Sequence, residues 1–479
     1  MNKALHTLLS IFSLSPSCMS RHLKADSSRG DNSMPIWLTC ITLLLAIGFL
    51  FLQLYIFSGA SIKSDGYSYF NAWESIKEGH TDPLRTPVYA IIIGLLTEIF
   101  GKPTTLVIIP ILHWALYLMM LRGVWQIDAA LGIKKNINCG VILTLMLIPG
   151  FWCMNNFTMA ECLSQAGTIF LVWLSSRYII KPHQRWLYLS GITQILLLFT
   201  KPIFVILIPL MAIFGWSTCR HDKRHLKICI ASIATTIGLA GVYIFCMAHT
   251  YTRPSFTIAT AYNEYYCMRA EGLIIPNEIE DPALREKFRP MYDSIPGGWL
   301  KTQPYWQEIW KLNWQELDAL AKTARKNHLP EIVETSIHRF YRSSQYCLFY
   351  SLVDELGVSE EYNKRFATWN GIYKNQDGGF IYPFHHRFNI PMWVGVVIMF
   401  SFIAVWIYRW YHSRKFPALA ALISAIFLSA YVTTIVGAQD SWGRILTPFS
   451  PLLAVMAGSL ISIAYQKWTT RKISSLDNC

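Results

Sequence analysis

Ser64–Tyr89, SDGYSYFNAWESIKEGHTDPLRTPVY, is a polar and aromatic island set between two apolar runs. The run before it, from about Ile36 to Phe57, is long enough to cross a bilayer core of roughly 30 Å as a helix. Asp65 therefore emerges where the chain leaves the membrane. Within the island Tyr69, Ala72, Trp73 and Ile76 fall at i, i+3, i+4 and i+7, with polar residues between them. That spacing predicts a short amphipathic helix lying in the membrane interface, its rings turned toward lipid. A turn through Gly79 to Pro83 leads to Arg85, and Thr86-Pro87 reads as an N-cap followed by a first-turn proline. The next apolar run, Val88 to Phe100, has only about 13 residues, a length that suits an interfacial or re-entrant helix and not a span.

Composition agrees with a membrane setting. The 479 residues are 53% hydrophobic and 14% aromatic, and the mean hydropathy is +0.31. This profile belongs to a polytopic membrane protein. The net charge of +13 is a topology signal and not a nucleic-acid footprint. The short segments assigned to the cytoplasm hold 20 Lys+Arg against 5 Asp+Glu, whereas the long loop from about 249 to 388 holds 16 against 17.

Further spans are expected at about 104–121, 137–153, 161–180, 187–200, 202–218, 228–248, 389–409, 417–437 and 445–465, ten with the first. Keeping 87–100 out of the membrane-crossing count places the basic clusters at Arg122/Lys134/Lys135, Arg177/Lys181/Arg185, Arg220/Lys223/Arg224/Lys227, Arg409/Arg414/Lys415 and Lys467/Arg471/Lys472 on the cytoplasmic side. The expected architecture is an all-α integral membrane fold of about ten transmembrane helices. Residues 1–35 form a cytoplasmic tail and 36–248 a transmembrane core whose first outer loop is 58–103. An extracytoplasmic helical loop covers 249–388, C-terminal spans 389–465, and a cytoplasmic tail 466–479. In the long loop, Tyr305–Lys326 and Pro330–Leu348 carry apolar residues at helical spacing. Eleven cysteines are scattered without a CxxC pair or a zinc spacing. Cys267 and Cys347, both in the long loop, are either a disulfide or two free thiols.

This topology gathers five ionisable residues at the outer boundary: Asp65 and Arg85 from the island, Glu161 from MAECL, Lys201 from LLLFTKPIF, and Arg444 from GRILTPFSPLLA. Charges at membrane depth are costly and tend to be functional or mutually paired. Two acids and three bases suit an anionic lipid phosphate together with a proton acceptor. Each residue also has a plainer structural reading. Asp65 and Glu161 are good helix N-terminal residues, Arg85 has Asp82 within reach, Lys201 sits where interfacial anchors sit, and Arg444 lies four residues after Asp440. His113, in an apolar span, reads as a packed or hydrogen-bonded core residue.

The ordered set SDGYSYFNAWESIKEG, RTPVYAIIIGLLTEIFG, MAECL, LLLFTKPIF and GRILTPFSPLLA resembles the GT-C superfamily of membrane glycosyltransferases, which contains protein O-mannosyltransferases and the lipid A aminoarabinose transferase. The resemblance implies transfer of a sugar from a polyprenyl-phosphate carrier to an extracytoplasmic lipid, glycan or protein. It implies an active site on the periplasmic face of a bacterial inner membrane. Asp65 would be the catalytic base, Glu161 the second-loop acid, and Arg85, Lys201 and Arg444 contacts to the donor phosphate. The chain departs from the family where Gly66 stands in place of a frequent second acid, and where Glu161 replaces a common Asp. A divalent metal therefore stays open.

The chemistry matches these residue types. A hydroxyl attacking an anomeric carbon needs a base, and a phosphate leaving group needs positive charge as its own charge develops. The rival readings are a lipid or solute transporter, for which inverted repeats would speak, and a glycan polymerase or ligase, which would call for more basic residues at the outer boundary.

Overall fold

The structure is a computed structural model, and the residues it describes are 33–57, 59–60, 62, 66–148, 151–251, 254–294, 311–343, 392–414, 416–437 and 446–476. Every extended element among them is a helix. The first, α1 (Ile36–Phe57), is followed by α2 (Gly66–Lys77) and α3 (Pro87–Phe100), both drawn from the island and its flank. Next come α4 (Lys102–Ala130), α5 (Lys135–Leu147), α6 (Glu161–Ile180) and α7 (Gln184–Leu198). A 3-10 turn at Pro202–Ile206 runs into α8 (Leu207–Cys219), and α9 (Lys223–Tyr251) returns.

Helices occupy all ten positions expected to be spans, and among the described residues six are long and apolar enough to cross a membrane by length and composition: Ile36–Tyr55, Lys102–Ala130, Pro202–Cys219, Lys223–Tyr251, Met392–Ser413 and Thr447–Thr469. The other four expected spans are shorter or more polar. At 1.5 Å per residue α5 and α7 reach only about 20–22 Å, short of a hydrocarbon core of about 30 Å. Ala418–Thr434 is likewise a shorter apolar helix. The α6 helix is long enough but too polar, since Ser164, Gln165, Thr168, Ser175 and Ser176 are all buried. It packs against α4 and α7 inside the bundle, so these groups face protein and not lipid.

The expected span 104–121 also grows to α4. Arg122 stops an apolar window, yet on the helix it points outward while Leu121, Val124, Trp125 and Ile127 pack inward. The main core runs through Trp114, Tyr117, Leu145, Trp152, Ile169, Phe402, Phe427 and Leu452. Within it Trp114 Nε1 donates to Gln53 (2.8 Å) and Tyr117 Oη donates to the Leu145 carbonyl (2.7 Å), as buried polar groups require.

The long loop builds a small helical body from α10 (Ala259–Ala270), α11 (Pro282–Ser294), α12 (Trp314–Asn327) and α13 (Leu329–Ser343). Leu317, Leu320, Ala321 and Ala324 form the buried stripe of α12 against Tyr265, Ile274 and Phe288. Asn313 and Glu316 close a reciprocal cap at its start. The two helices expected here are present over the described residues as α12 and α13; residues 305–310 and 344–348, with Cys347 among them, lie outside those residues. Three C-terminal helices, α14 (Met392–Ser413), α15 (Ala418–Gly437) and α16 (Ser450–Leu476), complete the bundle, and α13 leans on α15.

Candidate functional site

Helices α2 and α3 pack on each other at one end of the bundle. The apolar face of α2 does not turn to lipid, as its pattern predicts. Tyr69 and Ala72 are buried against Tyr89, Ala90 and Ile93 of α3, with Ile109 and Ala160 behind. Trp73 lies so close over Gly94 that no side chain fits there, and its Nε1 donates to Glu98 (3.2 Å). The small residues Ala90 and Gly94 make this approach possible, and burying the rings against protein replaces burying them in the interface. Thr86 adopts extended N-cap geometry ahead of Pro87, although its side chain makes no capping bond.

Arg85 is held in the turn between the two helices. Asp82 Oδ1 accepts from the backbone amides of Leu84 (2.8 Å) and Arg85 (2.6 Å). Its carboxylate thus shapes the turn. Burial pushes the Asp82 carboxyl above the usual carboxylate range, against the pull of the two amides and the Arg85 charge. The guanidinium reaches the other way, donating from Nε to Ser68 Oγ (2.5 Å) and lying 5.0 Å from the Tyr69 ring centre.

Three further segments meet this end. Val88 N donates to the Phe199 carbonyl (3.0 Å), which joins the start of α3 to the break between α7 and α8. Gly66, the first residue of α2, sits against Thr158 Oγ1 with no space for a Cβ. A side chain at position 66 would therefore displace the Thr158 hydroxyl. Glu161 opens α6, and its Oε1 pairs with Lys201 Nζ at 2.8 Å; their side chains are 4% and 17% exposed. The start of the last helix arrives at the same place: Gln165 Nε2 donates to the Phe151 carbonyl (3.0 Å) and to Ser450 Oγ (3.4 Å), while Phe449 packs on Phe204 (5.4 Å between centres). The long loop is tied in by Tyr251 Oη donating to the Thr81 carbonyl and Ile258 N to the Pro83 carbonyl, both at 2.7 Å.

Of the five residues singled out from sequence, Arg85, Glu161 and Lys201 are thus brought to one end of the bundle. Asp65 and Arg444 lie outside the described residues, although Gly66 and Thr447, their near neighbours in the chain, are at this end. His113 is the core residue its apolar context predicts. Its Nδ1 lies 3.0 Å from the Asn155 carbonyl, an acceptor only, so Nδ1 carries the proton and Nε2 accepts from Tyr89 Oη (3.1 Å). Sequence reasoning missed Ser68, which accepts from Arg85, Tyr89, which bonds His113 and packs on Tyr69, and Thr158, which sits against Gly66. Ser68 is one residue from the aromatic stripe, and nothing in its local pattern marks it as the Arg85 partner. Among the described residues no group of three or more His, Cys, Asp or Glu side chains converges to hold a metal ion.

No family model matches the chain, and no curated protein does. Among solved structures the chain is similar to the Archaeoglobus fulgidus oligosaccharyltransferase. In the complex of that protein with Zn and sulfate the TM-score is 0.46 and the identity 11%, covering 92% of this chain and 50% of that one. For the archaeal oligosaccharyltransferase AglB bound to an inhibitory peptide and a dolichol-phosphate, the values are 0.45 and 13%, covering 92% and 52%. For the apo form they are 0.45 and 11%, covering 88% and 50%. The chain spans about half the length of these structures.

Proposed function

We propose that the chain is an integral membrane glycosyltransferase moving a sugar from a polyprenyl-phosphate carrier to an extracytoplasmic lipid, glycan or protein. The observation that supports this most is the meeting of Arg85, Glu161 and Lys201, from three distant segments, beside the first residue of α2. Asp65, which precedes that residue, is the general base: it takes the proton of the acceptor hydroxyl as the hydroxyl oxygen attacks the anomeric carbon. The bond to the lipid phosphate breaks, and Arg85, Lys201 and Arg444 stabilise the charge that develops on the phosphate. Glu161 holds Lys201 in place, since a long flexible ammonium must be oriented before it can stabilise a transition state. The polyprenyl chain stays in the bilayer, which explains a site at the end of a membrane bundle.

A divalent metal, if bound here, would take Asp65, which lies outside the described residues, and Glu161, whose Oε1 is paired with Lys201. No step is routed through a metal.

The reading is tested with the purified full chain, a radiolabelled polyprenyl-phosphate sugar and membranes as the source of acceptor. Asp65→Asn is expected to lower transfer by about 10²–10⁴-fold, the usual contribution of a general base. Retained transfer by this variant removes Asp65 from the mechanism.

A further inference from the structure

At the opposite end of α8 lies a second cluster that the proposed transfer reaction does not use. Cys219, the last residue of α8, and Cys229, in the second turn of α9, have their sulfurs 3.6 Å apart. The two helices approach closely here because Gly215 leaves its space to Cys229, whose Cβ and Sγ lie 3.1 Å from where a Cβ on Gly215 would be. Cys219 is fully buried. Its Sγ donates to Tyr178 Oη (3.2 Å), and that hydroxyl lies 3.0 Å from His225 Nδ1. Asp222 Oδ2 faces the same nitrogen at 3.1 Å, while Asp222 Oδ1 accepts from the amides of Arg224 and His225.

Two partners on one ring nitrogen are two states of a proton wire. With Nδ1 unprotonated, the Tyr178 hydroxyl donates to it and the Cys219 thiol donates to Tyr178. Once the proton has moved along, Nδ1 carries it and donates to the Asp222 carboxylate. Cys229, unlike Cys219, lines a cavity of about 20 Å³ with Ser175, Tyr178, Ser190, Gln194 and Gly215. That is room for one water-sized molecule.

We infer that Cys219 and Cys229 form a reversible disulfide switch driven by a small hydroperoxide. The inference stands apart from the proposed transfer activity. In the first step the Cys229 sulfur attacks one oxygen of hydrogen peroxide, the O–O bond breaks, the thiol proton passes to the departing oxygen, and Cys229 sulfenic acid and water result. In the second, Cys219 passes its proton through Tyr178 to His225 and attacks the Cys229 sulfur. The S–O bond breaks, and the departing hydroxide takes the proton back as water. The peroxide is reduced by two electrons and the two thiols are oxidised to one disulfide. The sulfurs must close from 3.6 Å to about 2.05 Å. Two neighbouring helices joined by a short turn allow that movement.

The test treats the purified full chain in detergent with hydrogen peroxide, then alkylates it under denaturing conditions and maps peptides by mass. A Cys219–Cys229 linked pair is expected, two hydrogens lighter than the reduced peptides and restored by dithiothreitol. In Cys219→Ser, a dimedone adduct is expected on Cys229. In Tyr178→Phe the bridge is expected to form about tenfold more slowly or worse, with Cys229 sulfenic acid accumulating, because the resolving thiol loses its proton acceptor. Diamide, which needs no wire, should still close the bridge in that variant and so shows the site folded. Full alkylation of both thiols after peroxide overturns the inference, as does bridging to exposed Cys246 instead. An unchanged rate in Tyr178→Phe overturns the role of the wire.

Discussion

Two ion pairs near the first loop have almost the same length and opposite surroundings. Glu161–Lys201 measures 2.8 Å, with side chains 4% and 17% exposed; Lys77–Glu98 measures 2.9 Å, with side chains 39% and 54% exposed. The first joins the start of α6 to the α7–α8 break inside the protein, and the second clips α2 to α3 from outside. Distance makes them alike, but burial decides what each is worth. A buried charge that loses its partner has no water to turn to, whereas an exposed one does. The buried pair is also the one beside the candidate site, and on the proposed function its cost is that of holding an ammonium for a donor phosphate.

The largest effect should come from splitting the buried pair. Lys201→Met removes the ammonium that faces the buried Glu161 carboxylate and is expected to cost about 3–5 kcal/mol, read as a lowered melting temperature of the purified protein. Glu161→Gln with Lys201→Gln should regain most of that loss, since neither side chain then carries charge. Equal stability of the single and double variants would erase the contrast. Next is the contact that clamps α2 on α3. Gly94→Ala forces Trp73 off its seat and should cost about 1–3 kcal/mol by overpacking, with tryptophan fluorescence reporting the displaced ring.

Asp82 sharpens the comparison because it is buried without being half of a salt bridge. Asp82→Ala, which strands two amides in the turn before Arg85, should cost about 1–3 kcal/mol, while Asp82→Asn keeps an acceptor and costs less. The sign of its pH dependence follows from its raised folded value. The native state holds the Asp82 proton more tightly than the unfolded chain, so this group's contribution is most favourable at low pH and declines as pH rises from about 3.8 through the raised value. Melting curves of Asp82→Asn across that window should lack the decline. The smallest effect is expected from the exposed pair. Lys77→Gln should leave the melting temperature unresolved from wild type, and any shift seen at low ionic strength should vanish in about 1 M salt.

Much of this arrangement is legible in sequence where one physical signal dominates. The short run 88–100 stops well below a bilayer thickness, and the structure has a 14-residue helix there. Positions of the membrane helices follow from apolar runs. What each helix faces does not, because α6 hides its hydroxyls and amides against other helices, and hydropathy alone cannot tell a lipid neighbour from a protein one. The same blindness turned the α2 rings toward lipid: Tyr69 and Ala72 make an amphipathic stripe whatever covers it, and only α3 says what does. In the long loop, α10 and α11 were missed because the buried stripe of α10 is carried by Tyr265 and Met268, and because Pro276, Pro282 and Pro290 interrupt the pattern. The Asn313-x-x-Glu316 cap was a readable start for α12. That Arg85, Glu161 and Lys201 share one boundary is expected from the topology of the apolar runs and basic clusters. The pairing of Glu161 with Lys201 needed coordinates, since residues 40 apart carry no spacing rule.

The most direct measurement is the initial rate of sugar transfer from labelled polyprenyl phosphate by Glu161→Gln/Lys201→Gln, set beside its melting temperature. The account predicts a protein that melts close to wild type yet transfers at about one-hundredth of its rate or less, as expected when electrostatic stabilisation of a leaving phosphate is removed. A folded double variant with undiminished transfer would contradict it, because the buried pair would then be structural and the reaction would belong elsewhere.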